Sequence, residues 1–590
     1  MDYTWDLTVL YHDFDDPAIE RDFARAQELA AKAQGLLQGD ALGALEGMTD
    51  AMEDLQRITA ALGSFASLTP AADATNERAQ QLMDKLMQFS VKISLLSSAF
   101  TRYIGELGDL DALIARSEKL QAVAFALRRR KAAAAHLMDP AIEEWMLKMS
   151  LSGGEAFSSL RDKLDATLTV DWQGESIPLS AIRSKAYDPD PAVRKAAYEA
   201  ELAAYLKIEI PMAACLNGVK GEALTMIEAQ RFNSVLDQTL FNANMDRETL
   251  EAMLAAIRES LPAFRRYLRK KGELLGHPDG LPFYDLFAPI APKGYTPKAY
   301  TVEEAEEKLV AEMSKFSPEM GAFIRHAFKN RWIDFFPREG KSGGAFCAEL
   351  HALNMSRVLT NFAGSFSDVS TLAHELGHAW HNRCMAGLPF AMINAPMPLC
   401  ETASIFNETL LANAAMRQAG KAERFALLEG SLMETAQCIV DIYSRYLFES
   451  AVVEGRKTHT LSVAELKELM LSAQEESYGD GLSKDARHPY MWACKSHYYY
   501  PGLAFYNFPY AFGQLFGAGM YALYEEKGAA FVPQYNSLLR ACGSDMVADV
   551  AASVGIDVRS VDFWRSSLAV YEKQIDEFVA LADEMLKEGK

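Results

Sequence analysis

The sequence contains no uncharged apolar run of about 18 residues, the length a membrane-spanning helix requires, so no membrane span is expected. Positive charge is not in excess either: 59 Lys and Arg stand against 80 Asp and Glu, for a formal net charge of −21. Nonspecific nucleic-acid binding needs a basic surface, and this balance argues against it. Cysteine is sparse, with seven residues at positions 215, 347, 384, 400, 438, 494 and 542. The number is odd and no Cys-x-x-Cys pair occurs, which fits reduced thiols better than a disulfide framework. The opening Met-Asp-Tyr-Thr-Trp-Asp has no basic segment followed by an apolar run, so no signal peptide is read there. A cytoplasmic protein with neither nucleic acid nor membrane among its partners is the expectation.

What is present is an ordinary globular composition, 49% hydrophobic and 24% charged. A chain of 590 residues exceeds the size at which single cores stop growing, so at least two lobes are expected. No fixed repeat occurs, and the pattern is mainly α. Asp16-Pro17 opens a helix running towards Gln38, with Pro in the permitted first turn. Ala-, Leu-, Glu- and Lys-rich helices follow near 41–62, 71–105 and 110–137. Residues 167–179 form a hairpin turning at Gln173-Gly174. Asp188-Pro189-Asp190-Pro191 punctuates the chain, dividing an N-terminal helical lobe, 1–190, from a catalytic domain, 191–590. Residues 343–353 and 356–362 are short, partly alternating and flanked by Gly or Asn, which predicts a small antiparallel sheet. Gly340-Lys341-Ser342 is not a phosphate loop, because Phe335 stands where that motif needs Gly.

Just after this sheet, residues 371–382 read Thr-Leu-Ala-His-Glu-Leu-Gly-His-Ala-Trp-His-Asn. His374 and His378 are four apart, so on a helix they project from one face and can bind one Zn²⁺, with Glu375 beside it as general base. Asp368 precedes the apolar run and is expected to cap the helix. His-Glu-x-x-His alone fixes only three positions, and two buried, hydrogen-bonded histidines would satisfy the same pattern. Leu372, Ala373, Leu376 and Ala379 make a helix here well founded. A third ligand is needed. The extension His-x-x-Gly-x-x-His fails, since His381 and Cys384 occupy its Gly and His positions. His381 itself is about 10 Å along the helix from His374, too far to share one ion. The other solution is a Glu from the next helix. Beyond the Gly- and Pro-rich stretch 386–398, Leu-Cys-Glu-Thr-Ala-Ser-Ile-Phe-Asn-Glu starts a largely apolar helix. Glu401 is the expected ligand, and Glu408, seven residues on and on the same face, orients a ligand imidazole.

These residues resemble the thimet oligopeptidase and oligoendopeptidase F group of zinc peptidases, closest to the oligoendopeptidase F branch. The carriers are 366–378 and 399–408, with Gly-Lys-Ser-Gly-Gly-Ala-Phe (340–346), Tyr-Tyr-Tyr-Pro-Gly-Leu-Ala-Phe-Tyr-Asn-Phe-Pro-Tyr-Ala-Phe-Gly (498–513) and a weaker echo at 5–11. The resemblance implies a two-lobed helical zinc peptidase with a deep substrate channel and the small sheet beside the zinc helix. It implies a strand at Gly343, Gly344 and Ala345 that holds extended peptide by main-chain hydrogen bonds. It also raises His497 and Tyr506 as the pair that binds substrate and stabilises the oxyanion, with Tyr510 a further contact, although aromatic runs are usually core. The function expected is hydrolysis of internal bonds in short unstructured oligopeptides, with one Zn²⁺ per chain. A carboxypeptidase or dipeptidyl carboxypeptidase on a similar scaffold, or a non-catalytic peptide-binding protein, are the alternatives.

Overall fold

The computed structural model describes residues 3–292 and 294–588, most of them helical as expected. Packing groups the chain into two units, each assembled from three stretches. Residues 1–137, 297–414 and 523–555 form the first, and 138–296, 415–522 and 556–590 form the second.

The first unit begins with three long helices, Pro17–Leu36, Ala41–Ala72 and Glu77–Glu106. Each starts at a side chain that accepts an otherwise orphaned backbone N–H: Asp16 from Ala18, Asp40 from Gly43 and Asn76 from Ala79. Leu45, Met48, Met52, Leu55 and Leu62 recur at helical spacing and share a core with Leu86, Phe89, Phe100 and Ile104. The break expected between 62 and 71 comes later. The second helix continues to Ala72 with Pro70 in its last turn, where the missing N–H forfeits one bond and the helix ends two residues on. The helix expected over 110–137 is three short ones, Leu110–Ile114, Glu118–Ala122 and Ala124–Ala134. Ser117 interrupts it, since its hydroxyl caps Glu118–Ala122 and donates to Glu46 at 2.6 Å.

The described residues contain five short strands: β1 (Thr169–Trp172) and β2 (Glu175–Pro178) in the second unit, and β3 (Ile333–Asp334), β4 (Phe346–Leu350) and β5 (Met355–Leu359) in the first. β1 and β2 form the expected hairpin, and Gln173 and Gly174 both have positive φ, 52° and 89°, as a type I′ turn requires. β4 and β5 pair antiparallel from Phe346↔Leu359 to Leu350↔Met355. β3, too short to leave a sequence pattern, adds parallel to β5, so the order is β3-β5-β4 and β4 is an edge. Gly343, Gly344 and Ala345 lie just ahead of β4 in a bend and not in the strand. Gly344 has φ +77°, a left-handed conformation that breaks the extended run. Both longer strands pack on the helix Phe366–Cys384.

In the second unit the helix Arg247–Leu274 packs along Val561–Glu588. Its buried Lys271 and Tyr267 both reach Glu429 Oε1, at 2.6 and 3.1 Å, so the buried charge is paired. A separate core collects Met212, Leu216, Phe448, Trp492, Tyr498 and Tyr499. All seven cysteines are free thiols. Among the described residues no single helix is long and apolar enough to cross a membrane.

Candidate metal centre and active site

The helix Phe366–Cys384 is anchored at its start by Ser365, whose hydroxyl accepts from Asp368 N while the Asp368 carboxylate accepts from Ser365 N at 2.8 Å. Asp368 is therefore not the cap expected for it. It sits in the first turn and completes a capping box, which still sets a negative charge against the positive helix end. Leu372, Ala373, Leu376 and Ala379 are buried, and the opposite edge presents His374 and His378.

The next helix is interrupted at the residue that matters. A short turn, Met397–Cys400, ends at Glu401, and Thr402–Gln418 continues beyond it. Glu401 Oε2 lies 3.3 Å from His374 Nε2 and 3.3 Å from His378 Nε2, and the two imidazole nitrogens are 3.2 Å apart. Three ligands at about 2.0–2.1 Å from one ion in a tetrahedron lie about 3.3–3.4 Å from one another, so this donor set fits Zn²⁺ with the fourth position left open. Burial works against a charge on His374, but the carboxylates of Glu401 and Glu408 outweigh it and raise its pKa to about 10. Burial likewise opposes charge on Glu401, and the two imidazoles reverse that, holding its carboxyl well below the usual range. The field at this spot favours a cation. Glu408 Oε1 stands 3.4 Å from His374 Nδ1, on the far side of the ring from Glu401. Glu375 is 6% exposed, and burial pushes its carboxyl up.

Several contributors carried no recognised mark in the sequence. Ser404 donates to Glu401 Oε2 at 2.6 Å and steadies the carboxylate. Asn407 donates to the Ala373 carbonyl at 3.2 Å, tying the two helices together beside the histidines. Gly377 lets them touch: a Cβ there would fall 2.5 Å from the Ala403 carbonyl oxygen and 2.6 Å from Ser404 Cα. His381 is buried and its Nε2 meets the Leu539 carbonyl at 3.1 Å, a structural place. The Cys400 thiol reaches the Ala395 carbonyl, not the ligand cluster.

The aromatic run belongs to the second unit, and it divides cleanly. His488, Trp492, Tyr498 and Tyr499 are buried. His497, Tyr500, Tyr506 and Tyr510 are half-buried and gather, with His497 stacked on Tyr506 at 5.3 Å between centroids and Tyr510 edge-on to both at 6.0 and 5.6 Å. Burial, reinforced by Arg445, Lys495 and Arg161, depresses the His497 pKa to about 4, so the ring is neutral near pH 7. Tyr506 is held between two anchors. Buried Glu449 accepts from Phe505 N at 2.9 Å and from Asn507 Nδ2 at 2.8 Å, and Lys220 neutralises it at 2.6 Å. That grip maintains Phe505 at φ +55°, a conformation side chains rarely adopt.

A helical scaffold in which a His-Glu-x-x-His helix meets a glutamate from the following helix defines the class of a metallopeptidase. The chain belongs to peptidase family M3, whose model matches residues 184–570, and the companion oligopeptidase F model matches 107–169. It is 25% identical to the plasmid-borne oligoendopeptidase F of Lactococcus lactis subsp. cremoris over 98% of this chain and 97% of that one. It is 26% identical to the group B oligopeptidase of Streptococcus agalactiae over 98% and 96%. A crystal structure of a candidate peptidase from Chlamydophila abortus shares the fold with a TM-score of 0.83, at 23% identity and 98% coverage of both chains.

Proposed function

We propose that the protein is a cytoplasmic, zinc-dependent endopeptidase that hydrolyses internal bonds of short, unstructured oligopeptides. The observation that carries the reading is the spacing of the His374, His378 and Glu401 donor atoms, all three pairs within 0.2 Å of a tetrahedral edge. These three residues hold one Zn²⁺ per chain, and Glu408 orients the His374 ring. A bound Zn²⁺ would supply Lewis-acid chemistry, polarising the scissile carbonyl and acidifying a water. Glu375 takes the proton from the attacking water and delivers it to the leaving amine. Neutral His497 and Tyr506 donate to the oxygen of the tetrahedral intermediate. Tyr510 and the Gly343-Gly344-Ala345 segment leading into edge strand β4 hold the extended peptide. A division into an N-terminal helical lobe, 1–190, and a catalytic domain, 191–590, is supported by the start of the peptidase model match at 184.

The test is metal content together with cleavage of a quenched fluorescent peptide. About one zinc per chain is expected, with activity lost on chelation and restored by zinc. Glu375→Gln retains the metal and loses most turnover, because the ligands are intact and only the proton carrier has gone. An active Glu375→Gln enzyme would sink the mechanism.

A further inference from the structure

The second unit holds a cavity of about 380 Å³ between the segments 180–201, 283–287 and 488–495. Three cations line it, and only two are balanced. Arg194 is buried against Asp285 at 2.7 Å, and Arg183 faces Glu201 at 3.2 Å. Among the described residues the Lys495 ammonium makes no hydrogen bond or ion pair, and only its backbone carbonyl is engaged, accepting from Tyr498 N at 3.4 Å. The carboxylate nearest to compensating it, Asp441, is taken up by Arg445 and by the Tyr478 hydroxyl at 3.2 Å. Burial, with Arg445 and Arg183 adding to it, depresses the Lys495 pKa, an unfavourable position that an anion would relieve.

A backbone irregularity lies at the same cavity. Gln437 stands in the same wall, and its side-chain amide interacts with the Tyr478 hydroxyl. Gln437 also opens a π-helical turn, Gln437–Asp441, an irregularity frequent at functional sites. The remaining wall is aromatic, with Tyr187 against Phe287 at 5.1 Å and Tyr198 against Tyr284 at 5.6 Å. A volume of about 380 Å³ is at the small end of ligand pockets, enough for one bulky residue and too little for a folded partner.

We propose that this cavity binds a carboxylate carried on an aromatic or large apolar body, the charge at Lys495 and the body against the tyrosine and phenylalanine wall. One uncompensated positive charge suits a monoanion, and the nearby Glu201 disfavours a dianion such as phosphate. Two sources share this chemistry, the free C-terminus of a peptide and a small aromatic acid. The peptide source rests on the peptidase reading above, whereas the site itself does not.

The experiment is calorimetric titration of the zinc-loaded enzyme with N-acetyl-phenylalanine and with its carboxamide. The acid is expected to bind about 10-fold or more tightly than the amide, the loss of one charged hydrogen bond. Lys495→Met should bring the acid down to the affinity of the amide, and Lys495→Arg should preserve the difference. If Lys495→Met fails to fold, the acid–amide comparison on the unaltered protein decides alone. A Phe-terminated peptide and phenylacetate, each titrated into Glu375→Gln, separate the two sources, since the tighter binder is the source. Equal affinity of acid and amide, or displacement of the acid by inorganic phosphate at equal concentration, would overturn the cavity proposal and leave the peptidase reading intact. Absence of peptide cleavage by the unaltered enzyme would overturn that reading instead, and the N-acetyl-phenylalanine titration would still decide the cavity.

Discussion

Two glutamates meet the His374 ring from opposite sides, and their different reach assigns them different work. Glu401 Oε2 lies within 3.3 Å of both imidazole Nε2 atoms, whereas Glu408 approaches only Nδ1 of His374, at 3.4 Å. Glu401→Gln should therefore abolish tight zinc binding, and Glu408→Gln should weaken it by about 10–100-fold, the usual range for a residue that orients a ligand. Zinc titration of both variants against a competing chelator checks this, and a larger loss in Glu408→Gln would reverse the assignment. Both acids stood out in the sequence because they interrupt an otherwise apolar helix. Ser404 did not stand out. Its hydroxyl reaches back one turn to Glu401, and a lone Ser on an apolar helix gives no sign of which neighbour it will serve. Asp368 was recognised as an N-terminal residue but placed one role too early, since Ser365 offers the same oxygen chemistry three positions before it.

Among elements, the pairing that builds the site is the helix Phe366–Cys384 against Thr402–Gln418, and Gly377 sets how near they come. The atoms a methyl group would strike are backbone, the Ala403 carbonyl at 2.5 Å and Ser404 Cα at 2.6 Å, so no side chain can swing aside. Gly377→Ala improves local helix propensity by about 1 kcal/mol, yet it must push the second helix, and Glu401 with it, away from the imidazoles. The expected outcome is at least about 10-fold weaker zinc binding, since ligand placement tolerates only about 0.2 Å, together with a lower Tm and unchanged helical circular dichroism. Gly430→Ala is the control, a helical glycine with open space around it, and should leave zinc affinity as it was. Zinc affinity unchanged in Gly377→Ala would show that the contact does not position Glu401. Long helices were legible because caps and periodicity coincide, as at Asp16, Asp40 and Asn76. The segment 110–137 was not, because its break depends on Ser117 finding Glu46, a partner 71 positions away.

For the molecule as a whole, local sequence says little about which stretches pack together. The first unit joins residues 523–555 to 1–137 and 297–414, a grouping set by long-range burial that no periodicity encodes. The activity, by contrast, was legible from two short motifs and their order. What the whole chain adds to that activity is substrate size. Under the proposed preference for short oligopeptides, the site takes a peptide only as an extended strand, its backbone bonded at an edge such as β4. A folded protein would have to unfold locally first, and a long denatured chain would have to thread. We therefore expect kcat/KM for one scissile sequence to stay level through short peptides and then fall steeply as flanking residues are added, with casein cut negligibly. Because the scissile sequence is constant, the zinc chemistry is the same throughout the series, and the decline reports access alone. A kcat/KM that stays level from an octapeptide to unfolded casein would mean that the site is an open cleft. The long N-terminal helices would then need another role.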